Sequence, residues 1–205
     1  MKQEIINRIK KLGGNVSNVK GNSLQKDLES ITFNTVLYPK PKDTPWAKQE
    51  EQEPIYGIGE FIKKNQHLID SNKTELYHKI TQHYYVITEE RLGQVFFKNE
   101  LFTPFKQGTD AYKEWDGEWE ESDFKKTIIG SEMDLMFIGH SYGFPDHLFI
   151  CLTDPNQENP MVYGTDHEVF FDEITKEGTL KEFFNSFMTK EELIAIVKAK
   201  IEKQQ

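Results

Sequence analysis

Three short apolar runs separated by turn residues, followed by two marked helix starts, leave the last third of this sequence few ways to fold. Residues 133–139, 147–153 and 161–163 are brief, apolar and bounded by polar turn formers, the pattern of buried strands. Asp154-Pro155-Asn156 is a strong turn signal between two of them. Thr179-Leu180-Lys181-Glu182 and Thr189-Lys190-Glu191-Glu192 then each match a capping box. Phe183, Phe184 and Phe187 follow the first, and Leu193, Ile196 and Val197 follow the second. Strands joined by tight turns, then helices, lead to the expectation of an α+β fold, an antiparallel sheet with helices packed on one face.

The N-terminal part is less regular. Residues 2–12 place Ile5, Ile6, Ile9 and Leu12 on one stripe before Gly13-Gly14, which predicts a helix and its end. Residues 30–38 are β-branched and aromatic and predict a strand. Pro39, Pro41, Pro45 and Pro54 mark a loop over 39–54. Helices are predicted over 59–71 and 74–87, with Gly57-Ile58-Gly59 as the approach to the first, and a short strand over 94–97. The reading is one domain over 1–205 with an N-terminal elaboration.

Charge narrows the functional classes. Residues 1–109 hold 16 Lys and Arg against 13 Asp and Glu, whereas residues 110–205 hold 9 against 21. A surface this negative repels phosphate backbones, so nucleic acid is not an expected partner of the C-terminal half. It either favours and steers a basic protein or serves simple solubility. The charged start predicts no signal peptide, and no run approaches the length of a membrane span. The lone Cys151 lies inside an apolar run and is expected to be a small buried hydrophobe. The expected compartment is the cytoplasm, with no membrane partner.

One motif resembles an enzyme's. Gly139-His140-Ser141-Tyr142-Gly143 fits G-x-S-x-G, the nucleophile elbow of a serine hydrolase. That elbow needs a helix directly behind the serine, so that backbone N–H groups can hold an oxyanion. Here Phe144-Pro145-Asp146 leads at once into the apolar run 148–152, which predicts another strand. The only later histidines, His147 and His167, are poor candidates for the base. Ser141 is therefore read as part of a hairpin and no catalytic residue is expected, with a serine hydrolase using Ser141 as a further alternative. His140, His147 and His167 with Asp146 and Asp166 offer metal-ligating atoms but no diagnostic spacing. They are read as hydrogen-bonding turn residues, with neither metal nor cofactor expected.

The acidic aromatic stretch 109–123 supplies the candidate binding residues. Trp115 and Trp119 are the predicted anchors, with Asp116, Glu118, Glu120 and Glu121 around them, because aromatics set among charges suit interface hot spots. Against this stands packing of both rings onto the sheet, with the acids merely facing water.

The run from Phe137 through Met188, within 130–190, resembles the SMI1/KNR4 (SUKH) superfamily. The resemblance is carried by Ile138-Gly139, the turn Gly143-Phe144-Pro145-Asp146, the strand Leu148-Phe149-Ile150-Cys151-Leu152 and Asp154-Pro155. Val162-Tyr163, Asp166-His167-Glu168 and Leu180-Lys181-Glu182-Phe183-Phe184 follow in the family's order. The N-terminal half lacks the Pro-x-x-Tyr/Phe helix and Asn-Gly-Gly turn of many members. The resemblance implies an α+β fold with a curved antiparallel sheet flanked by helices, and a non-catalytic bacterial immunity protein that neutralises a polymorphic toxin by direct binding, or else a regulatory or scaffold module.

Overall fold

A computed structural model describes residues 1–41, 53–87, 91, 93–115, 117–142 and 146–203. The chain is α+β, with a five-stranded antiparallel sheet that does not close; helices cover both of its faces, not one as the turn pattern suggested, because the stretch between β3 and β4 folds back over the second.

The N-terminal elements are α1 (Gln3–Lys11), β1 (Gly14–Asn15), α2 (Leu24–Glu29) and β2 (Thr32–Phe33). Helix α1 stops where Gly13 takes a φ of +97°, the left-handed conformation of a helix C-terminus, and β1 then pairs with β2. Side chains have no room at this corner: a Cβ on Gly14 would stand 2.6 Å from Ile9 Cγ2. The strand expected over 30–38 reduces to Thr32–Phe33. Beyond it, Thr35, Leu37 and Pro39 make single bridges to three different partners, Val86, Val95 and Phe187. The β-branched and aromatic composition therefore records burial of an extended segment, not a ladder. Thr35, Val36, Leu37 and Tyr38 are all buried. Much of the loop over 39–54 lies outside the described residues.

Helices α3 (Ile58–Lys64), α4 (His67–Ser71) and α5 (Lys73–Tyr85) follow. The single helix expected over 59–71 breaks at Asn65, whose side-chain amide turns back to donate to the Phe61 carbonyl at 2.9 Å. A side chain competing for a backbone acceptor in this way ends a helix. Helix α5 begins at a cap of its own, Asn72 Oδ1 accepting from the Glu75 N–H at 3.1 Å.

The sheet runs in the order β3 (Val95–Phe102), β4 (Leu135–Ser141), β5 (His147–Cys151), β6 (Met161–Asp166) and β7 (Phe170–Thr179). Each strand neighbours the next in sequence, with short links from β4 to β7 and the longer stretch 103–134 between β3 and β4. Between β3 and β4 lie the short helices α6 (Asp110–Trp115) and α7 (Glu121–Phe124). Helices α8 (Leu180–Asn185) and α9 (Lys190–Glu202) end the described chain, each opened by the predicted capping box.

Alternation along the strands buries both faces. Met136, Ile138, Ile150 and Val162 meet α1, α2 and α8 on one side. Leu135, Phe137, Phe149 and Tyr163 meet Phe124, Ile128 and Phe171 on the other. A third cluster joins α3, α5 and α9 around Tyr38 and Val36. Cys151 is fully buried, and burial pushes its thiol pKa up. No helix among the described residues is long and apolar enough to cross a membrane.

Candidate functional site

The stretch between β3 and β4 folds back over the sheet, and its apolar side chains hold it there. Phe124 and Ile128 are buried, Phe105 packs edge-on against Phe124, and the Tyr163 hydroxyl accepts the Ile129 N–H at 2.7 Å. Trp115 and Trp119 stand on either side of the α6–α7 turn and stack on each other, with ring centroids 4.3 Å apart and planes 14° from parallel. Trp115 also stacks on Phe170 and meets Phe102 edge-on, while Trp119 meets Phe171 edge-on. Both Trp residues are half-buried, so the pair covers the sheet-facing cluster and also presents indole surface outward.

Carboxylates flank this pair in the chain, three of them paired with Lys113, Lys125 and Lys126. Glu118 and Glu120 are exposed and Glu121 is half-buried, its Oε1 2.7 Å from Lys125 Nζ. Asp110, Glu114 and Asp123 add exposed acids on the same two helices. Asp116, also predicted for this site, lies outside the described residues. The structure thus brings Trp115 and Trp119 together, with Glu118, Glu120 and Glu121 beside them in the chain.

Phe170 and Phe171 complete the platform and were not anticipated, since the sequence around them reads as a polar gap. Among the described residues Phe170 is the one non-glycine with positive φ, +47°. An aromatic residue rarely adopts this conformation, and here the surrounding rings hold it. The signal was the apolar triplet Val169-Phe170-Phe171 inside a charged run.

The Ser141 motif folds as a hairpin. β4 ends at Ser141, whose N–H donates to the Asp146 carbonyl at 3.1 Å, and β5 begins at His147. Residues 143–145 lie outside the described residues, but the strand at 147–151 leaves no room for the helix of a nucleophile elbow. The neighbouring histidines part company. His140 stacks on Phe96 at 5.1 Å, and the His147 ring lies 4.9 Å from Phe137. Burial, reinforced by Lys98 and His140, holds the His147 pKa below its ordinary value. His167 instead meets Asp146 at the turn between β6 and β7, with Nδ1 2.8 Å from Oδ1, and the hydrogen bond raises its pKa.

Two partly exposed indoles thus stand over the aromatic face of the sheet, with acids beside them in the chain. The chain matches no family model, no curated protein and no solved structure.

Proposed function

We propose that the chain is a non-catalytic binding protein of the SMI1/KNR4 immunity type, acting in the cytoplasm, which neutralises a basic toxin domain by direct contact. The observation that carries this reading is the Trp115–Trp119 stack, half-buried on the sheet and accompanied by Glu118, Glu120 and Glu121. Aromatic anchors that are already rigid lose little entropy on binding, and acids around them select a positive surface. The acidic excess over residues 110–205 supports the same polarity.

The test is to mix the chain with the product of the adjacent gene and measure the complex by titration calorimetry. Reversing Glu118, Glu120 and Glu121 to Lys together is expected to weaken binding at least a hundredfold. These side chains lie outside the core, so the fold is expected to persist, which circular dichroism checks. Unchanged affinity in the triple variant removes the α6–α7 surface from the interface. Absence of any complex with that product removes the immunity reading itself.

A further inference from the structure

The register of β5, β6 and β7 assembles a group of side chains that the docking surface does not use. Asp146 immediately precedes β5, and Asp166 and His167 lie at the end of β6 and the turn beyond it. Pairing of His147 with Thr165 brings these two sheet corners side by side, although Asp146 and His167 are 21 residues apart. His167 Nδ1 stands 2.8 Å from Asp146 Oδ1 and 3.7 Å from Asp166 Oδ1, and one ligand atom from each residue falls within 4.8 Å of the others.

We propose that Asp146, Asp166 and His167 form a binding site for a divalent transition-metal ion of the Zn²⁺ or Mn²⁺ type. Atoms about 2.0–2.2 Å from such an ion stand roughly 3–3.6 Å apart at adjacent positions and a little over 4 Å apart at opposite ones. The 2.8 and 3.7 Å spacings from His167 Nδ1 bracket the adjacent range, and an ion would share Asp146 Oδ1 and Asp166 Oδ1 with the His167 and Glu168 N–H groups they now accept. Two carboxylates alone would be an ordinary acidic patch. The imidazole nitrogen in the same triangle makes the set mixed nitrogen and oxygen, which suits Zn²⁺ or Mn²⁺ better than the all-oxygen shells of Ca²⁺ or Mg²⁺.

Open space adjoins the triangle on its carboxylate side, away from the His167 ring. Asp146 and Asp166 also line a pit of about 290 Å³ whose wall includes Glu173, Glu177, Ser141 and Thr175. No Lys or Arg is among its described lining residues. The pit leaves space for the solvent or further oxygen ligands that must fill the positions three protein ligands leave open. When the ion enters, it takes the place of the proton between His167 and Asp146 and joins the start of β5 to the β6–β7 turn. The site is independent of the proposed partner contact, being built from other residues.

The experiment titrates Zn²⁺, and separately Mn²⁺, into the metal-free full-length chain and reads stoichiometry by calorimetry. One Zn²⁺ per chain is expected, with Mn²⁺ weaker, and at least a tenfold loss of affinity in both Asp146→Asn and His167→Gln. The same loss is expected in Asp166→Asn, whose half-exposed side chain makes it the variant to use if another fails to fold. The imidazole nitrogen resonances of wild-type protein need no variant, and His167 is expected to shift on Zn²⁺ addition ahead of the other five histidines. Absence of saturable binding overturns the site, as do unchanged affinity in the folded variants and a Zn²⁺ response confined to other histidines. Binding of Mg²⁺ or Ca²⁺ with no contribution from His167 overturns it too.

Discussion

The clearest single-residue statement in the molecule concerns Glu192. It closes the capping box of α9, with its carboxylate accepting the Thr189 N–H at 2.8 Å. It also receives Arg8 at 2.9 Å and Lys40 at 3.3 Å. Burial alone would raise its pKa, but the hydrogen bonds from Arg8 and Thr189 outweigh this and hold it at about 2. A carboxylate with a depressed folded-state pKa stabilises above its unfolded value, near 4.5, and that stability is lost as pH falls toward 2. Glu192→Gln keeps the capping geometry and removes the charge. At neutral pH it is expected to cost about 1 kcal/mol, a modest figure because the carboxylate is more than a third exposed and screened. Urea denaturation at a series of pH values measures this, and the gap between variant and wild type should close between pH 4.5 and 2. A gap that is constant with pH would mean that the charge does not matter. Both capping boxes were legible in the sequence, because four adjacent residues carry the whole signal. Arg8 as a partner of Glu192 was not, since 184 residues separate them.

Strands β4 and β5, buried on both faces, were legible from their apolar runs, whereas the edge strand β7 was not. Its ten residues contain Asp172, Glu173, Lys176 and Glu177, which point away from the core and mask the two residues that matter, Phe171 and Ile174. Such charge is how exposed edges avoid pairing with other chains, so the sequence of a protected edge resembles that of a loop. The platform suffered with it. Trp115 and Trp119 could be named from composition, but Phe170 and Phe171 beneath them could not, because their role depends on β7 existing. The same dependence hid the grouping of Asp146, Asp166 and His167, whose residue types were visible but whose proximity comes from the β5–β6 register. The α6–α7 element should therefore depend on its aromatic contacts for order. Trp119→Ala removes contacts to Trp115, Phe124, Phe170 and Phe171. It is expected to cost about 2 kcal/mol, below the usual range for a fully buried Trp because the ring is half-exposed. Amide hydrogen exchange should accelerate over residues 110–124 while β4 and β5 stay protected. Equal acceleration in the sheet would show that the platform is part of the global core.

At the scale of the whole molecule, β4 is the wall between two layers of core. Leu135 and Phe137 point into the aromatic cluster under α6 and α7, and Met136 and Ile138 into the cluster shared with α1, α2 and α8. Neither layer keeps its burial if β4 leaves, because both lose a central strand. Strand β4 is also bonded on both sides, to β3 and β5, so its departure would strand two rows of backbone groups. Close packing transmits a defect on one face to the other through this strand, which argues for a single cooperative unfolding of sheet and helices. Phe137→Ala and Ile138→Ala are each expected to cost about 3–4 kcal/mol, from lost burial and the cavity left behind. Two probes see opposite sides of the wall. Two of the three Trp residues sit in the α6–α7 layer, whereas far-ultraviolet circular dichroism is dominated by the longer helices, which lie outside it. In wild type and in both variants the two urea transitions should coincide, with midpoints lowered in the variants and slopes unchanged. Separation of the fluorescence and dichroism curves in Ile138→Ala would mean that the two layers unfold independently and that β4 does not couple them.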